Sequence, residues 1–451
     1  MSIDETDVVN RFDDGPAVIV LAAGEGTRMR SGRSKMLHSM GGHSLLRHVL
    51  DAVEALQPSQ LVVVVGYQRE QVCLHLAEIA PGALVAVQNT PDGTGGAVMA
   101  ALDMLGELQD QTEVIVTCGD MPLLRGATLR AIAEAHRRDG DAATSLVASS
   151  DDAWPCGADD DEGVYVFDYS ALTDGLGHLA SQRTSFSLID VMAHARTTGD
   201  QVGTFVADDA WQVRGVDDRV QLALLGAEYN RRQVDRWMRA GVTILDPAST
   251  WIEADVDLAP DVTLLPGTML VGATSVARGA TIGPDTTIKD SEIGEDASIT
   301  RSTVELAVVG DGAIVGPYTR LRPGTQIGPK GVVGTFVETK NATLGAGARL
   351  SHLTYCDDTT LGDGAEVGAS VVFANWDAAN RSRTEIGNGA VIGAGALIVP
   401  PIQVADGAMV RPGAAVLPPD VDLRAPGEPR RSSPEDFDAT DAAKRGLKED
   451  K

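Results

Sequence analysis

The chain has 451 residues, 43% of them hydrophobic, and a formal net charge of -27, a length that suits roughly two or three domains. So acidic a chain has no basic footprint, which excludes nucleic acid and anionic membrane as partners, and any phosphate-bearing ligand must be held by a few locally placed cations. No run of eighteen apolar residues predicts membrane insertion, residues 1–14 lack a signal-peptide core, and Cys73, Cys118, Cys156 and Cys356 form no Cys-x-x-Cys pair, so a cytoplasmic protein with free thiols is expected.

Residues 1–15 read as a polar tail. Apolar strands are then predicted at 18–21, 61–65, 84–87 and 113–117, alternating with helices at 45–56, 69–79, 96–105 and 127–137. That alternation predicts an α/β doubly wound, mostly parallel sheet. A strand at 164–168 and a helix at 187–198 complete a domain over 16–219. Residues 220–240 place Leu222, Leu224, Tyr229, Val234 and Trp237 at helical spacing and stop at Gly241, which predicts a linker helix over 220–241. From 242 to 419 the period changes. Ile252, Leu258, Leu264, Leu270, Val276, Ile282 and Ile288 recur every six residues, as do Val315, Leu321, Ile327 and Val333, and again Ile386, Ile392, Ile398, Val404, Val410 and Val416. Neither an α-helix nor an alternating strand has that period. A parallel β-helix does, each unit being one short strand plus a corner with its aliphatic residue inward, and roughly nine triangular turns fit between 251 and 418. Beyond 420 the chain is rich in Pro, Asp, Lys and Arg without periodicity, which predicts a disordered tail.

The stretch Leu21-Ala22-Ala23-Gly24-Glu25-Gly26-Thr27-Arg28-Met29 follows the first strand directly. Its glycines let backbone N–H groups approach a phosphate, and Arg28 adds charge at the same place. With Lys35 close behind, it resembles the signature of sugar-1-phosphate nucleotidyltransferases, in which the loop and the lysine hold the triphosphate. Ser34 stands where that family usually has proline. Gln88, then Gly93-Thr94-Gly95, fit the family's uracil-reading segment, because an amide can pair with both a donor and an acceptor on a base edge. Gly119-Asp120 ends the next predicted strand at the sheet's carboxyl edge, where open α/β folds bind ligands. A carboxylate there suits Mg²⁺, which also takes phosphate oxygens.

Taken together, the two halves resemble the bifunctional N-acetylglucosamine-1-phosphate uridyltransferase / glucosamine-1-phosphate acetyltransferase (GlmU) family, in its domain order, over about 16–418. The resemblance implies a left-handed coil, a homotrimer with acetyl sites between subunits, acetyl-CoA and UTP as substrates, and Mg²⁺ held by Asp120 and Asp217. Asp217 replaces the usual asparagine. The family's sugar pocket is shortened here between Gly157 and Gly163, with Asp161 in place of an asparagine. Its downstream Glu-x-Tyr stretch has become Ser185-Phe186-Ser187-Leu188-Ile189-Asp190, keeping only the last aspartate. In the coil, the resemblance makes Arg322, Lys340 and Tyr355 the sugar-phosphate ligands and His352 the base. An imidazole titrates in the range needed to deprotonate an amine that attacks a thioester. Glu366 replaces an asparagine near the amino sugar and Arg381 replaces a lysine. Ala369, Asn375, Trp376 and Ala394 fall on the acetyl-CoA side, with Trp376 where tyrosine is usual and Ala394 in place of a serine. The expected activity is acetyl transfer to glucosamine-1-phosphate followed by uridylyl transfer, giving UDP-N-acetylglucosamine and pyrophosphate. The alternatives are a diverged paralogue limited to acetyl transfer or to another sugar phosphate, and a nucleotide-binding scaffold.

Overall fold

A computed structural model describes residues 15–106, 108–148, 163–374 and 382–418, which fall into two compact units, Met1–Gly312 and Ala313–Lys451. The first unit opens with β1 (Ala17–Ala22), the hairpin strands β2 (Ser39–Met40) and β3 (His43–Ser44), and α1 (Leu45–Glu54). It continues through β4 (Gln60–Val65), α2 (Arg69–Ile79), β5 (Leu84–Val87), α3 (Gly93–Leu102), β6 (Glu113–Cys118), α4 (Gly126–Asp139) and β7 (Ala143–Val147). Then come β8 (Val164–Asp168), α5 (Tyr169–Gln182), α6 (Leu188–Thr198), β9 (Val202–Val206) and α7 (Arg219–Arg239).

The seven-stranded sheet runs β5-β4-β1-β6-β8-β7-β9, parallel except for β8, which is antiparallel to both β6 and β7. Strands β1 and β6 are buried along their whole length, as unbroken apolar runs are when helices cover both faces. One face packs against Leu46, Val49 and Val53 of α1, Val72 and Leu76 of α2, and Leu129 and Ile132 of α4. The other packs against Val98 and Ala101 of α3, Leu172 and Leu176 of α5, and Leu188 and Val191 of α6.

Three elements carry no clear sequence signal: β7, β9 and α5. Helix α5 contains Gly175 and Gly177, which lower helix propensity. Gly175 is a packing requirement, because a Cβ there would lie 2.8 Å from Val191 Cγ1 on α6. Helix α3 begins at Gly93, three residues before the expected start. The Asp218 carboxylate caps α7 by accepting from the amides of Val220 and Gln221, both at 2.8 Å.

After α7 the first unit continues as strands of two or three residues. Thr243–Ile244, Trp251–Ile252 and Asp257–Leu258 pair in parallel with the strands one turn on, Thr263–Leu264, Met269–Val271 and Ser275–Val276. The second unit repeats this arrangement, with Ile314–Val315, Arg320–Leu321 and Gln326–Ile327 pairing with Val332–Val333, Glu338–Lys340 and Thr343–Leu344. In each of these twelve strands the second residue is the buried one, which produces the period of six. Three stacks of parallel strands are consistent with a left-handed β-helix. The gaps between the three aliphatic runs are also coil. There the inward residues lie five apart at Ile288–Ile293, Ile299–Val304, Val304–Val309, Thr339–Leu344 and Cys356–Leu361. Each time the residue two past the first (Asp290, Arg301, Leu306, Asn341 and Asp358) takes a left-handed φ between 42° and 47°, turning the corner with one residue fewer.

Candidate active sites

The glycine loop leaves the carboxyl end of β1 and returns through a single helical turn, Thr27–Met29. Leu21 and Ala22 are core residues of β1, and the Leu21 carbonyl accepts from Gly119 N–H at 2.8 Å, so these two can offer a ligand little beyond backbone. Ala23 accepts from Tyr67 N–H at 3.2 Å and marks the loop's exit from the sheet. Gly26 has φ +59°, and a Cβ on it would lie 2.8 Å from Lys35 Cβ. Gly24 differs. No heavy atom lies within 4 Å of a Cβ built there and its φ is ordinary, so the fold makes no demand for glycine at 24; open space above a loop glycine suits close approach of a ligand.

Lys35 is buried, and its ammonium is the centre of the site. Nζ ion-pairs with Asp120 Oδ2 and lies 3.4 Å from Asp217 Oδ1, which Arg28 Nη2 also reaches at 2.9 Å. The fold brings Asp217 here through the backbone, Val216 N–H donating to Asp120 C=O at 3.0 Å. Asp217 N–H donates to Gln221 Oε1 at 2.6 Å, and Arg219 Nε donates to Met29 C=O at 3.2 Å. Asp120 Oδ1 is buried without a hydrogen-bond partner among the described residues, so an acceptor stands open beside Asp217. Two carboxylates around one buried cation are a donor set that suits Mg²⁺ shared with phosphate oxygens.

Against the start of the glycine loop, at Ala23 and Glu25, lies a pocket of ≈ 500 Å³ lined also by Tyr67, Gln68, Gln88, Asn89 and Thr90, among others. Gln88 Nε2 donates to Asp92 Oδ1 at 2.6 Å and to Gly93 C=O at 3.0 Å. Gln68, which no sequence signal singled out, donates to Gly32 C=O at 2.6 Å and ties the pocket wall to the end of the glycine loop. Gly93 and Thr94 open α3, where Thr94 Oγ1 accepts from Leu188 N–H at 3.1 Å and Gly95 N–H donates to Phe186 C=O at 3.1 Å. That segment meets the stretch expected to read the sugar. There Ser187 and Asp190 form a reciprocal cap on α6, Asp190 Oδ2 accepting from Ser187 N–H at 2.9 Å and pairing through Oδ1 with Arg183 at 3.3 Å. The retained aspartate is thus engaged in local structure. Gly157 and Asp161 lie outside the described residues.

In the second unit the strands Arg320–Leu321, Glu338–Lys340 and Tyr355–Asp357 stack on one face. Their register sets Glu338 beside Tyr355 and Lys340 beside Asp357. Arg322 follows directly, its N–H donating to Thr339 C=O at 2.9 Å and its Nη1 pairing with Glu338 Oε1 at 2.9 Å. Arg322, Lys340 and Tyr355 are therefore on one face. His352 stands exposed at the adjoining corner. Thr335 N–H donates to its Nδ1 at 3.1 Å, which places the neutral ring's proton on Nε2. The basic lone pair of the neutral ring thus faces the Thr335 amide. Gly334 leaves room for the ring, since a Cβ there would lie 2.9 Å from Nδ1. Glu366 is on a different face, in register with Arg349 and Val391. Ala369 and Ala394 belong to successive turns of one corner, where Gly395 N–H donates to Ala369 C=O at 2.8 Å. Asn375, Trp376 and Arg381 lie outside the described residues.

A MobA-like NTP transferase domain model matches residues 18–197. The chain is 45% identical over 417 residues to a protein named Bifunctional protein GlmU from Kineococcus radiotolerans, covering 86% of this chain and 85% of that one. The protein of the same name from Pseudarthrobacter chlorophenolicus is 44% identical over 422 residues, 87% and 86% of the two chains. That from Cutibacterium acnes is 46% identical over 403 residues, 82% and 96% of the two.

Proposed function

This chain belongs to the bifunctional GlmU family, and from that premise we propose that it transfers an acetyl group from acetyl-CoA to glucosamine-1-phosphate and then a uridylyl group from UTP to the product. UDP-N-acetylglucosamine and pyrophosphate leave. We assign uridylyl transfer to residues 16–219 and acetyl transfer to 242–419, with 220–241 as the linker. The observation that carries this reading is the buried Lys35 ammonium between Asp120 and Asp217, at the carboxyl edge of a nucleotidyltransferase sheet, in a chain whose likeness to GlmU proteins spans both halves.

In the uridylyl site Arg28 and Lys35 hold the triphosphate and must exchange their carboxylate partners for phosphate oxygens, a charge-assisted contact at a fixed place. Asp120 and Asp217 would hold Mg²⁺, whose charge would offset that of the phosphates. Gln88 faces the base. In the acetyl site Arg322, Lys340 and Tyr355 fix the sugar phosphate, and His352 takes the proton as the amine attacks the thioester. Acetyl-CoA passes the corner of Ala369 and Ala394. Exposed apolar corner residues Tyr318, Phe336 and Leu353 support assembly through the coil, and the assembly is a homotrimer. The thiols of Cys73 and Cys356, free among the described residues, support a cytoplasmic setting.

A second reading rests on the capped Asp190. With that carboxylate committed to Ser187 and Arg183, and the segment between Gly157 and Gly163 short, sugar recognition in the first site is reduced while UTP binding is kept. Two assays on the purified protein test both readings: acetyl-CoA-dependent thiol release with glucosamine-1-phosphate, and UTP-dependent pyrophosphate release with N-acetylglucosamine-1-phosphate. Activity in both supports the bifunctional reading, activity in the first alone supports the second, and activity in neither refutes both.

A further inference from the structure

The phosphate-binding face of the coil contains a carboxylate that opposes its assigned task. Asp357 follows Tyr355 by two residues, so the two side chains emerge on the same side of one strand, and strand register sets it beside Lys340. Asp357 Oδ2 accepts a hydrogen bond from the Tyr355 hydroxyl at 3.1 Å and lies 4.0 Å from Lys340 Nζ. Its side chain is only 9% exposed, so it has no room to swing into solvent. The third ligand, Arg322, is paired with Glu338 at 2.9 Å. Among the described residues, each cationic or hydroxyl group assigned to the acceptor's phosphate thus has a carboxylate against it.

We propose that Asp357 is a specificity-determining residue of the acetyl-acceptor site, a buried carboxylate that competes with the acceptor's phosphate for Lys340 and the Tyr355 hydroxyl. An arriving phosphate takes Lys340 and Tyr355 from Oδ2 and then sits beside a like charge held in place by burial. Binding is weakened in proportion to the phosphate's charge, and the acetylated product, which keeps that phosphate, is released more readily to the site where it is next used. The Tyr355 phenol shows the same field. Burial, then the charge and hydrogen bond of Asp357, hold it above its usual range, as a nearby anion disfavours a second one.

This inference rests on the acetyl-transfer reading and deepens it. The test is Asp357→Asn, which keeps an acceptor for the Tyr355 hydroxyl and removes the charge, with Asp357→Ser as a second variant should the first fold poorly. Acetyl-CoA-dependent thiol release is measured with glucosamine-1-phosphate and with glucosamine. The expected result is a KM for the phosphorylated acceptor lowered roughly fivefold or more, about fivefold being what one unit charge ~4 Å away gives under bulk-water screening alone. The KM for acetyl-CoA and the values for glucosamine should stay within twofold. An unchanged preference for glucosamine-1-phosphate over glucosamine, or a raised KM for it, would overturn the assignment and leave Asp357 as a scaffold for Lys340 and Tyr355. Calorimetric titration of both proteins with inorganic phosphate separates the two claims. Wild-type protein inactive on both acceptors refutes acetyl transfer, and phosphate binding no tighter in the variant refutes the role of Asp357 independently of turnover.

Discussion

Replacing Gly26 by alanine is the sharpest probe of the nucleotide site, because it adds one carbon at a point where two demands meet. Gly26 has φ +59°, and a non-glycine residue in the left-handed region costs about 1–2 kcal/mol. The new Cβ would lie 2.8 Å from Lys35 Cβ, whereas ordinary contact begins at 3.4 Å, so the two must separate by roughly half an ångström. Neither side yields cheaply. Lys35 is 7% exposed and its ammonium is fixed between Asp120 and Asp217, while the loop is tied to α7 through Arg219 and Met29. Because a 1 Å misplacement can cost about 10²-fold in rate, Gly26→Ala should lower kcat/KM for uridylyl transfer roughly 10- to 100-fold. Acetyl transfer by the same preparation should stay within twofold. Pyrophosphate release and thiol release, measured in parallel, read the two numbers directly. A variant that retains uridylyl transfer within twofold of wild type would show that the loop and Lys35 move freely, and that contact between them does not position the site.

Three further outcomes follow from the geometry. Asp120→Ala should abolish Mg²⁺-dependent pyrophosphate release and leave thiol release intact, since separate domains make the two chemistries independent; equal loss of both would refute the assignment of two sites. His352→Ala should cut thiol release by roughly 10²–10⁴-fold, the range for loss of a general base, with an unchanged circular-dichroism melt, and a loss below tenfold would make the histidine structural. His43 ties β3 to Asp51 of α1, which also pairs with Arg47, and to Asp255 beyond α7, with His48 packed nearby. The Asp51 carboxylate, then that of Asp255, hold its imidazole above the ordinary range against the opposing effect of burial. A raised folded-state pKa gives stability that is fully present below the unfolded value of about 6.5 and is lost as pH rises through the folded one. The melting temperature of wild type should therefore exceed that of His43→Gln by more at pH 5.5 than at pH 8.5, and a pH-independent difference would exclude the charged pair as its source.

The architecture and the site divide differently between sequence and tertiary structure. A period of six is legible at sight, because each short strand buries one aliphatic residue and each corner costs four more positions. The alternation of apolar runs with helical segments shows the sheet for the same reason, since burial on both faces demands it. Asp120 could be named because strand ends place carboxylates where ligands approach, and Lys35 and His352 because the stretches around them resemble family motifs. The five-residue steps hide in sequence, since a shortened corner depends on backbone conformation and polar residues such as Asp290 and Asn341 give no apolar signal. So does α5, whose Gly175 is demanded by Val191 on the next helix. The partners of the functional groups divide: Asp217, 182 residues from Lys35, is legible only through the family resemblance, whereas nothing in the linear chain distinguishes Asp357, 17 residues from Lys340, from the rest of an acidic surface. Only the stacking of turns and the return of the chain across the sheet edge bring them within reach of a cation, and electrostatic energy depends on that distance and on the burial around it, not on separation along the chain.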